Sequence, residues 1–253
     1  MTIELPWGCE YWLISNHKDG DCLLEGTNKK LSEVYPNYPL LIKIIEANKD
    51  LSIQVHPDVK SECWYILDCK EDGDIIVGHN AQTKQDFINC IKNNLWDSFL
   101  RKIKIKKDDI IQIDPGTVHA IKGGTLILET QQTSNTTYRV YDYGSDRELH
   151  IDQALETINF PSKLPEAEST AGKNPILETP RYTVYKIKVD SEKTITNNHD
   201  YMNFTVIEGS GEIKEGDGVK NHKLEKFTSF IVPKEVKEFT VSGNLTFIAS
   251  HAN

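Results

Sequence analysis

Short apolar or alternating runs, separated by Gly, Pro, Asn and Asp, recur along this chain and constrain its fold more than any other feature. Runs of this length with turn-forming residues between them are typical of a meandering antiparallel β-fold. We therefore expect an all-β protein. The runs lie at Leu40–Ile45, Leu51–Val55, Cys63–Leu67, Asp74–Val77, Ile110–Ile113, Thr125–Leu128, Tyr138–Tyr141, Tyr182–Val189, Phe204–Ile207, Ser229–Val232, Phe239–Val241 and Leu245–Ala249.

Helical spacing is confined to a few stretches. Residues 85–100 carry apolar side chains four positions apart, and residues 148–158 show a similar pattern. A period near 3.6 indicates a helix with one apolar face. Both stretches are predicted to be helices that pack against the sheets.

A change of composition divides the chain. Residues 161–180 contain four prolines among Glu, Ser, Thr and Ala, which is typical of a linker or a long crossing loop. We expect a catalytic domain at residues 1–160 and a smaller β-domain without metal ligands at residues 181–253. Within the latter, Gly209 and Gly211 in the stretch Ile207–Glu212 predict a hairpin.

Composition excludes several classes of protein. The 253 residues carry a formal net charge of -9, which opposes binding to nucleic acid. The basic run from Lys102 to Lys107 alternates with isoleucine and fits the solvent face of a strand. No stretch has the length of a membrane span or the pattern of a signal peptide, so we expect a cytoplasmic protein with no membrane partner. The five cysteines lack a paired CxxC arrangement, which favours a reducing compartment and structural roles for these residues.

Residues 51–57 carry the most informative chemistry. Period-two alternation puts Ser52, Gln54 and His56 on one face of a strand. Glu62 follows, and His119 comes later beside a Pro-Gly turn. Two imidazoles and a carboxylate are ligands that zinc accepts. Together, these residues resemble the two metal motifs of the cupin superfamily.

Taken singly, the same residues have ordinary interpretations. A histidine on a strand is usually a satisfied core or surface residue, and an isolated Glu62 would be solvated. Lys43, inside an apolar run, either faces a polar cavity or extends to water. Arg139 either binds an anion or forms a salt bridge within the barrel. Glu129 shares its strand face with Ile127 and either points into the same cavity or is exposed.

Ordered blocks across residues 7–160 make the resemblance specific. The chain resembles a small bacterial class I mannose-6-phosphate isomerase, a zinc-dependent cupin enzyme. The blocks are Tyr11–Ser15, Pro39–Ile44, Ser52–Asp58, Lys60–Ile66, Pro115–Ile121, Leu128–Gln132, Thr136–Tyr143 and Arg147–His150.

The resemblance implies a cupin-type jelly-roll β-barrel, which holds the metal site at residues 1–160, with a few packing helices and a second, smaller β-domain. It also implies zinc as cofactor and a small-molecule sugar phosphate as substrate. Compared with the family, the segment between His56 and Glu62 is short, the loop from Gly144 to Arg147 is contracted, and Asp114-Pro115 replaces the usual pair before the second metal loop. The zinc ligands implied are Gln54, His56, Glu62 and His119, the active-site arginine is Arg139, and Lys43, Lys60 and Glu129 line the pocket.

The activity implied is interconversion of mannose 6-phosphate and fructose 6-phosphate through a cis-enediol intermediate. That reaction needs a positioned acid/base and electrostatic support for the enediolate. Lys43, Lys60, Glu129 or a zinc-bound water could each move the proton. The alternatives are a cupin isomerase or epimerase for another sugar phosphate, and a cupin that binds a sugar phosphate without turnover. The sequence gives no indication of the oligomeric state.

Overall fold

Strands dominate the computed structural model, which describes residues 1–215 and 220–253. In chain order the strands are β1 (Thr2–Leu5), β2 (Gly8–Ile14), β3 (Leu40–Ala47), β4 (Ile53–Val55), β5 (Glu62–Cys69), β6 (Asp74–His79), β7 (Leu100–Lys104), β8 (Asp109–Ile113), β9 (His119–Ala120), β10 (Thr125–Gln132), β11 (Tyr138–Tyr141), β12 (Glu168–Ser169), β13 (Leu177–Glu178), β14 (Tyr182–Thr196), β15 (Tyr201–Glu215), β16 (Lys220–Leu224), β17 (Ser229–Pro233) and β18 (Glu238–Ala252). The helices are α1 (Leu31–Val34), α2 (Lys84–Asn93), α3 (Trp96–Phe99) and α4 (Ile151–Thr157). The expected all-β architecture with a few helices is confirmed.

The chain forms a first unit, Met1–Ser169, and a second unit, Thr170–Asn253. The predicted domains at residues 1–160 and 181–253 fall within these units. The segment 161–180, expected to connect them, contains β12, which pairs with β8, and β13, which pairs with β14. The assignment of catalysis to the first domain stays a prediction.

A larger and a smaller antiparallel sheet pack face to face in the first unit. The larger has the strand order β1-β2-β3-β10-β5-β8-β12, and the smaller has the order β11-β4-β9-β6-β7. Trp64 and Ile127 from the larger sheet share one buried cluster with Ile75, Val77 and Ile103 from the smaller sheet. Burial of this apolar surface holds the two sheets together.

The helices α2, α3 and α4 cover the other face of the smaller sheet. Phe87, Trp96 and Leu155 from these helices form a second buried cluster with Ile53 and Ala120 from the sheet. The alternation that placed Lys102 and Lys104 in solvent beside a buried Ile103 is also confirmed.

The prediction of one helix across residues 85–100 is wrong. Helix α2 begins after Thr83, whose side chain accepts a hydrogen bond from the Asp86 amide, and it ends at Asn94 in the left-handed conformation with φ 53°. Asparagine tolerates this conformation better than most residues and ends helices for that reason. A separate turn of helix, α3, then carries Trp96.

The second unit is built on long strands. β14 and β18 pair from Tyr182↔Ala252 to Thr196↔Glu238, and β15 pairs with β16, β17 and β18. Phe204, Phe230, Phe239 and Phe247 make edge-to-face and stacked ring contacts in its core.

The predicted hairpin at Ile207–Glu212 is wrong, because these residues lie inside β15. Gly209 has φ +76°, and a Cβ there would lie 2.0 Å from the carbonyl oxygen of Asn244. The register with β18 shifts between Val206 and Glu208. The glycine therefore marks a bulge and a close backbone approach rather than a turn.

Cys9, Cys22, Cys63, Cys69 and Cys90 are free thiols, as expected. Among the residues described, no helix has the length and apolar character needed to cross a membrane.

Candidate active site and metal centre

Strand β4 presents Gln54 to a cavity in the first unit, as the alternation predicted, but Leu51, which alternation puts on the opposite face, also lines this cavity. Ser52 and Gln54 line the cavity, whereas Ile53 and Val55 are buried against the helices. Gln54 pairs with His119 of β9, which brings the second motif beside the first. Sheet pairing thus joins residues that are far apart in sequence.

The turn before His119 depends on Gly116. This residue has φ +78°, and a Cβ there would lie 2.4 Å from the Asn159 side chain. The Gly116 amide donates a hydrogen bond to the His56 carbonyl at 2.9 Å. Glycine is the residue that fits this left-handed, crowded position, so the turn holds the two histidine-bearing segments together.

His56, Glu62 and His119 form a buried cluster that could hold a metal ion, with potential ligand atoms all within 4.8 Å of one another. His56 Nε2 lies 3.3 Å from Glu62 Oε2, and His119 Nε2 lies 3.6 Å from Glu62 Oε1. The carboxylate therefore stands between the two imidazoles. Nitrogen and oxygen donors of this kind suit zinc and similar divalent metals.

Hydrogen bonds to the backbone orient both imidazoles. His56 Nδ1 lies 3.0 Å from the Thr136 carbonyl oxygen, and His119 Nδ1 lies 2.8 Å from that of Thr117. A carbonyl can only accept, so each Nδ1 carries the proton and each Nε2 keeps a free lone pair. Metal-binding histidines are commonly held in this way.

The cluster favours a neutral His56 and an ionised Glu62. Burial and the nearby Lys60 ammonium lower the pKa of His56 to about 3, and burial also lowers the pKa of His119. Burial alone would raise the pKa of Glu62, but the Lys60 ammonium brings it well below its ordinary value. Neutral imidazole and carboxylate are the forms that bind metals.

The Lys60 ammonium lies beside two of the potential metal ligands. Its Nζ donates to His56 Nε2 at 2.9 Å and lies 3.0 Å from Glu62 Oε2. Gln54 lies beside the cluster, with its Nε2 at 3.4 Å from His119 Nε2, while its Oε1 accepts from Ser52 at 3.4 Å. Metal ligation by Gln54 would use the oxygen, so its role stays a prediction.

A row of charged side chains on the larger sheet continues from the His56–Glu62–His119 cluster. Lys43 pairs with Glu129 across β3 and β10, and its Nζ lies 3.1 Å from Glu129 Oε1 and 3.4 Å from Glu10 Oε2. Burial would lower the pKa of Lys43, but Glu10 and Glu129 raise it above its ordinary value. Burial and the charge of Glu62 raise the pKa of Glu129 to about 7.

These groups line a cavity of about 210 Å³ together with Arg139 and Arg147. Arg139 of β11 is the register partner of Gln54 of β4. The buried Nε of Arg139 has no hydrogen-bond partner among the described residues. Burial and the charge of Arg147 lower the pKa of Arg139. Arg147 is held by two hydrogen bonds to Asp142, at 2.7 and 2.6 Å.

The structure brings the candidate residues Lys43, Gln54, Lys60, Glu62, Glu129 and Arg139 to this cavity, with His56 and His119 directly behind Glu62. Sequence reasoning gave no role to Glu10, Trp64 and Arg147. Trp64 follows Glu62 by two residues on β5, so the same alternation that selected Gln54 and His56 could have placed it on the ligand face. Glu10 offered no comparable signal.

Two family models and several curated proteins match this chain. The model "Phosphomannose isomerase type I, catalytic domain" matches residues 14–74, and the model "Mannose-6-phosphate isomerase, cupin domain" matches residues 175–252. A probable mannose-6-phosphate isomerase, GmuF of Bacillus subtilis, is 36% identical, over 96% of this chain and 89% of the relative.

Solved structures of mannose 6-phosphate isomerases share the fold of this chain. The mannose 6-phosphate isomerase from Bacillus subtilis superposes with a TM-score of 0.90 at 33% identity, over 99% of this chain and 97% of that one. A mannose 6-phosphate isomerase bound with zinc and yttrium shares the fold, with a TM-score of 0.70 at 13% identity, over 96% of this chain and 90% of that one. The predicted cupin fold is confirmed, with the cupin-domain match in the second unit and the catalytic-domain match in the first. On this evidence the chain belongs to the type I mannose-6-phosphate isomerase family.

Proposed function

We propose that this protein is a zinc-dependent isomerase that interconverts mannose 6-phosphate and fructose 6-phosphate. The proposal is carried by one cavity, which brings together the buried His56–Glu62–His119 cluster, the Lys43–Glu129 pair and an arginine, Arg139, whose buried Nε has no hydrogen-bond partner among the described residues. Family membership and the names of the relatives point to the same substrate. The expected cytoplasmic location stays a prediction.

The residues present fit a divalent metal. His56, Glu62 and His119 supply two nitrogen donors and a carboxylate, and each imidazole has its Nδ1 satisfied by a carbonyl. Gln54 is a further candidate ligand through its amide oxygen. Zinc bound there would polarise the substrate oxygens beside the carbon that exchanges its proton. The mannose 6-phosphate isomerase solved with zinc supports zinc as that metal.

Arg139 is the proposed receptor for the phosphate group. Its side chain is half-buried at the cavity, and a bound anion would satisfy the buried Nε, which has no hydrogen-bond partner among the described residues. A planar guanidinium also matches the geometry of phosphate oxygens. Arg147, fixed by Asp142, adds a second positive charge at the same cavity.

Glu129 is the proposed proton-transfer group. Isomerisation moves a proton between adjacent carbons, so the group must both accept and return it near neutral pH. Glu129, with a pKa of about 7, meets this requirement. Lys43 has a raised pKa and stays protonated, so we assign it the role of a fixed cation that orients Glu129 at 3.1 Å. Lys60, bonded to His56 and Glu62, is assigned to the metal cluster.

A substrate panel tests the proposed reaction. Zinc-loaded protein is assayed with mannose 6-phosphate, unphosphorylated mannose, and other aldose and ketose phosphates. We expect conversion of mannose 6-phosphate and a large loss with mannose, because Arg139 would have no anion to bind. Faster turnover of another sugar phosphate would favour the alternative isomerase. Binding of sugar phosphate without any turnover would favour a non-catalytic role.

A further inference from the structure

The indole of Trp64 lies between two acidic residues of the cavity. On β5, alternation puts Trp64 on the same face as Glu62, two residues earlier. On β10, Glu129 is the direct register partner of Trp64. Strand geometry therefore places both carboxylates beside one indole ring, which is only 1% exposed.

A single N–H group is shared by these two acids. Trp64 Nε1 donates to Glu129 Oε2 at 3.0 Å and to Glu62 Oε1 at 3.2 Å. The indole has one donor and no acceptor, so the two bonds form a three-centre arrangement. Two buried carboxylates repel one another, and a donor placed between them offsets part of that repulsion.

The shared donor leaves the second oxygen of each acid facing its own cationic partner. Glu62 Oε2 lies 3.0 Å from Lys60 Nζ and 3.3 Å from His56 Nε2. Glu129 Oε1 lies 3.1 Å from Lys43 Nζ. Fixing one oxygen thus fixes the direction of the other, toward the metal cluster for Glu62 and toward Lys43 for Glu129.

We propose that Trp64 is a positioning residue that orients Glu62 and Glu129 together through its one N–H group, so that metal affinity and turnover both depend on it. The proposal rests on the function proposed above for Glu62 as a metal ligand and Glu129 as the proton-transfer group. Partners that orient metal ligands typically contribute 10- to 100-fold to metal affinity. Trp64 differs from such a partner in that it serves two acids with different roles.

The test compares Trp64→Phe with Trp12→Phe. Trp12 is also buried, and its Nε1 donates at 2.8 Å to Glu10, which is outside the metal cluster. Both variants lose an indole of the same size and one N–H donor. Zinc affinity is measured by competition with a chelator, thermal unfolding is measured without metal, and kcat is measured at saturating zinc.

Trp64→Phe should weaken zinc binding by about 10- to 100-fold and lower kcat at saturating zinc, whereas Trp12→Phe should keep wild-type zinc affinity. Wild-type zinc affinity and wild-type kcat in folded Trp64→Phe would overturn the proposal. An equal loss of zinc affinity in both variants would also overturn it, because the effect would then come from lost packing.

A second replacement separates the N–H group from the bulk of the ring. Trp64 is exchanged for 3-benzothienylalanine, which keeps the bicyclic shape and has sulfur in place of N–H. The same loss of zinc affinity supports the proposal even if Trp64→Phe does not fold, and unchanged affinity and kcat contradict it. The wild-type protein could bind zinc and yet fail to convert mannose 6-phosphate, which would contradict the proposed substrate. A loss of zinc affinity in the 3-benzothienylalanine variant would still support the role of Trp64 in that case.

Discussion

At the scale of single residues, the cavity combines groups whose protonation states are set apart by their surroundings. Glu62 and Glu129 are both buried, yet the Lys60 ammonium lowers the pKa of Glu62 while the charge of Glu62 helps to raise that of Glu129. One acid is thereby kept ionised beside the histidines, and the other can exchange a proton near neutral pH.

Replacing Arg139 tests the phosphate assignment. Arg139→Gln should lower kcat/KM for mannose 6-phosphate by about 10- to 100-fold, because a hydrogen bond to a charged group is worth roughly 1.5–3 kcal/mol. The loss should be much smaller with unphosphorylated mannose. Arg101→Gln, which changes an arginine paired with Glu166 away from the cavity, serves as control. Equal losses on both substrates would show that Arg139 does not bind the phosphate.

The pH dependence of turnover tests Glu129. Its carboxylate must be ionised to accept the proton, so kcat should fall as pH drops through its pKa of about 7. A bound metal adds positive charge, which lowers this value, so the acid limb should lie at or below about 7. Glu129→Gln should remove the acid limb and lower kcat by roughly 10²- to 10⁴-fold. An unchanged profile in this variant would assign the limb to another group. Glu71→Gln, on the exposed surface, is the matched control.

Alternation in the sequence identified some residues of this cavity and not others, for a physical reason. Gln54 and His56 could be placed on one face because alternation is a local property of a strand. The link between Gln54 and His119, or between Trp64 and Glu129, depends on which strands become neighbours. That information is in the sheet order and not in any short window of sequence.

At the scale of elements, glycine and asparagine explain where the predicted boundaries failed. Asn94 ends α2 in a left-handed conformation that the apolar spacing of residues 85–100 did not reveal. Gly209 has a positive φ inside β15, where a turn was predicted. Strand β11, at Tyr138–Tyr141, was predicted to the residue because Tyr and Val fit a half-buried sheet. Apolar periodicity thus located elements, and special backbone positions decided their ends.

Substitution of Gly209 tests the bulge. Gly209→Ala should destabilise the protein by about 1–3 kcal/mol, because the residue keeps a positive φ and its Cβ would collide with the Asn244 carbonyl. Gly26 has a similar φ of +71°, but a Cβ there would lie in open space. Gly26→Ala should therefore destabilise the protein less than Gly209→Ala. Thermal and denaturant unfolding of both variants provide the measurement. Equal losses would mean that the close approach to β18 contributes nothing.

At the scale of the whole molecule, the proposed chemistry lies in one of the two units. The His56–Glu62–His119 cluster and the cavity belong to Met1–Ser169, whereas Thr170–Asn253 is the part that the cupin-domain model matches. Zinc should therefore stabilise the first unit by binding only to its folded form. At a free concentration 1,000 times the Kd this amounts to about 4 kcal/mol.

Hydrogen exchange with and without zinc checks this localisation. We expect slower amide exchange in β4, β5 and β9, which carry the proposed ligands Gln54, Glu62 and His119, and little direct change in β14 and β18. His56→Ala should abolish the difference. Equal slowing of amide exchange in β14 and β18 would contradict a metal site confined to the first unit.

The most direct measurement is a coupled assay of mannose 6-phosphate to fructose 6-phosphate, on protein as purified, after chelation and after zinc is restored. Metal content is determined in each sample, and His56→Ala is assayed in parallel. We expect activity to fall with chelation and to return with zinc, and we expect His56→Ala to lack both metal and activity. Full turnover in metal-free protein, or in His56→Ala, would contradict this expectation.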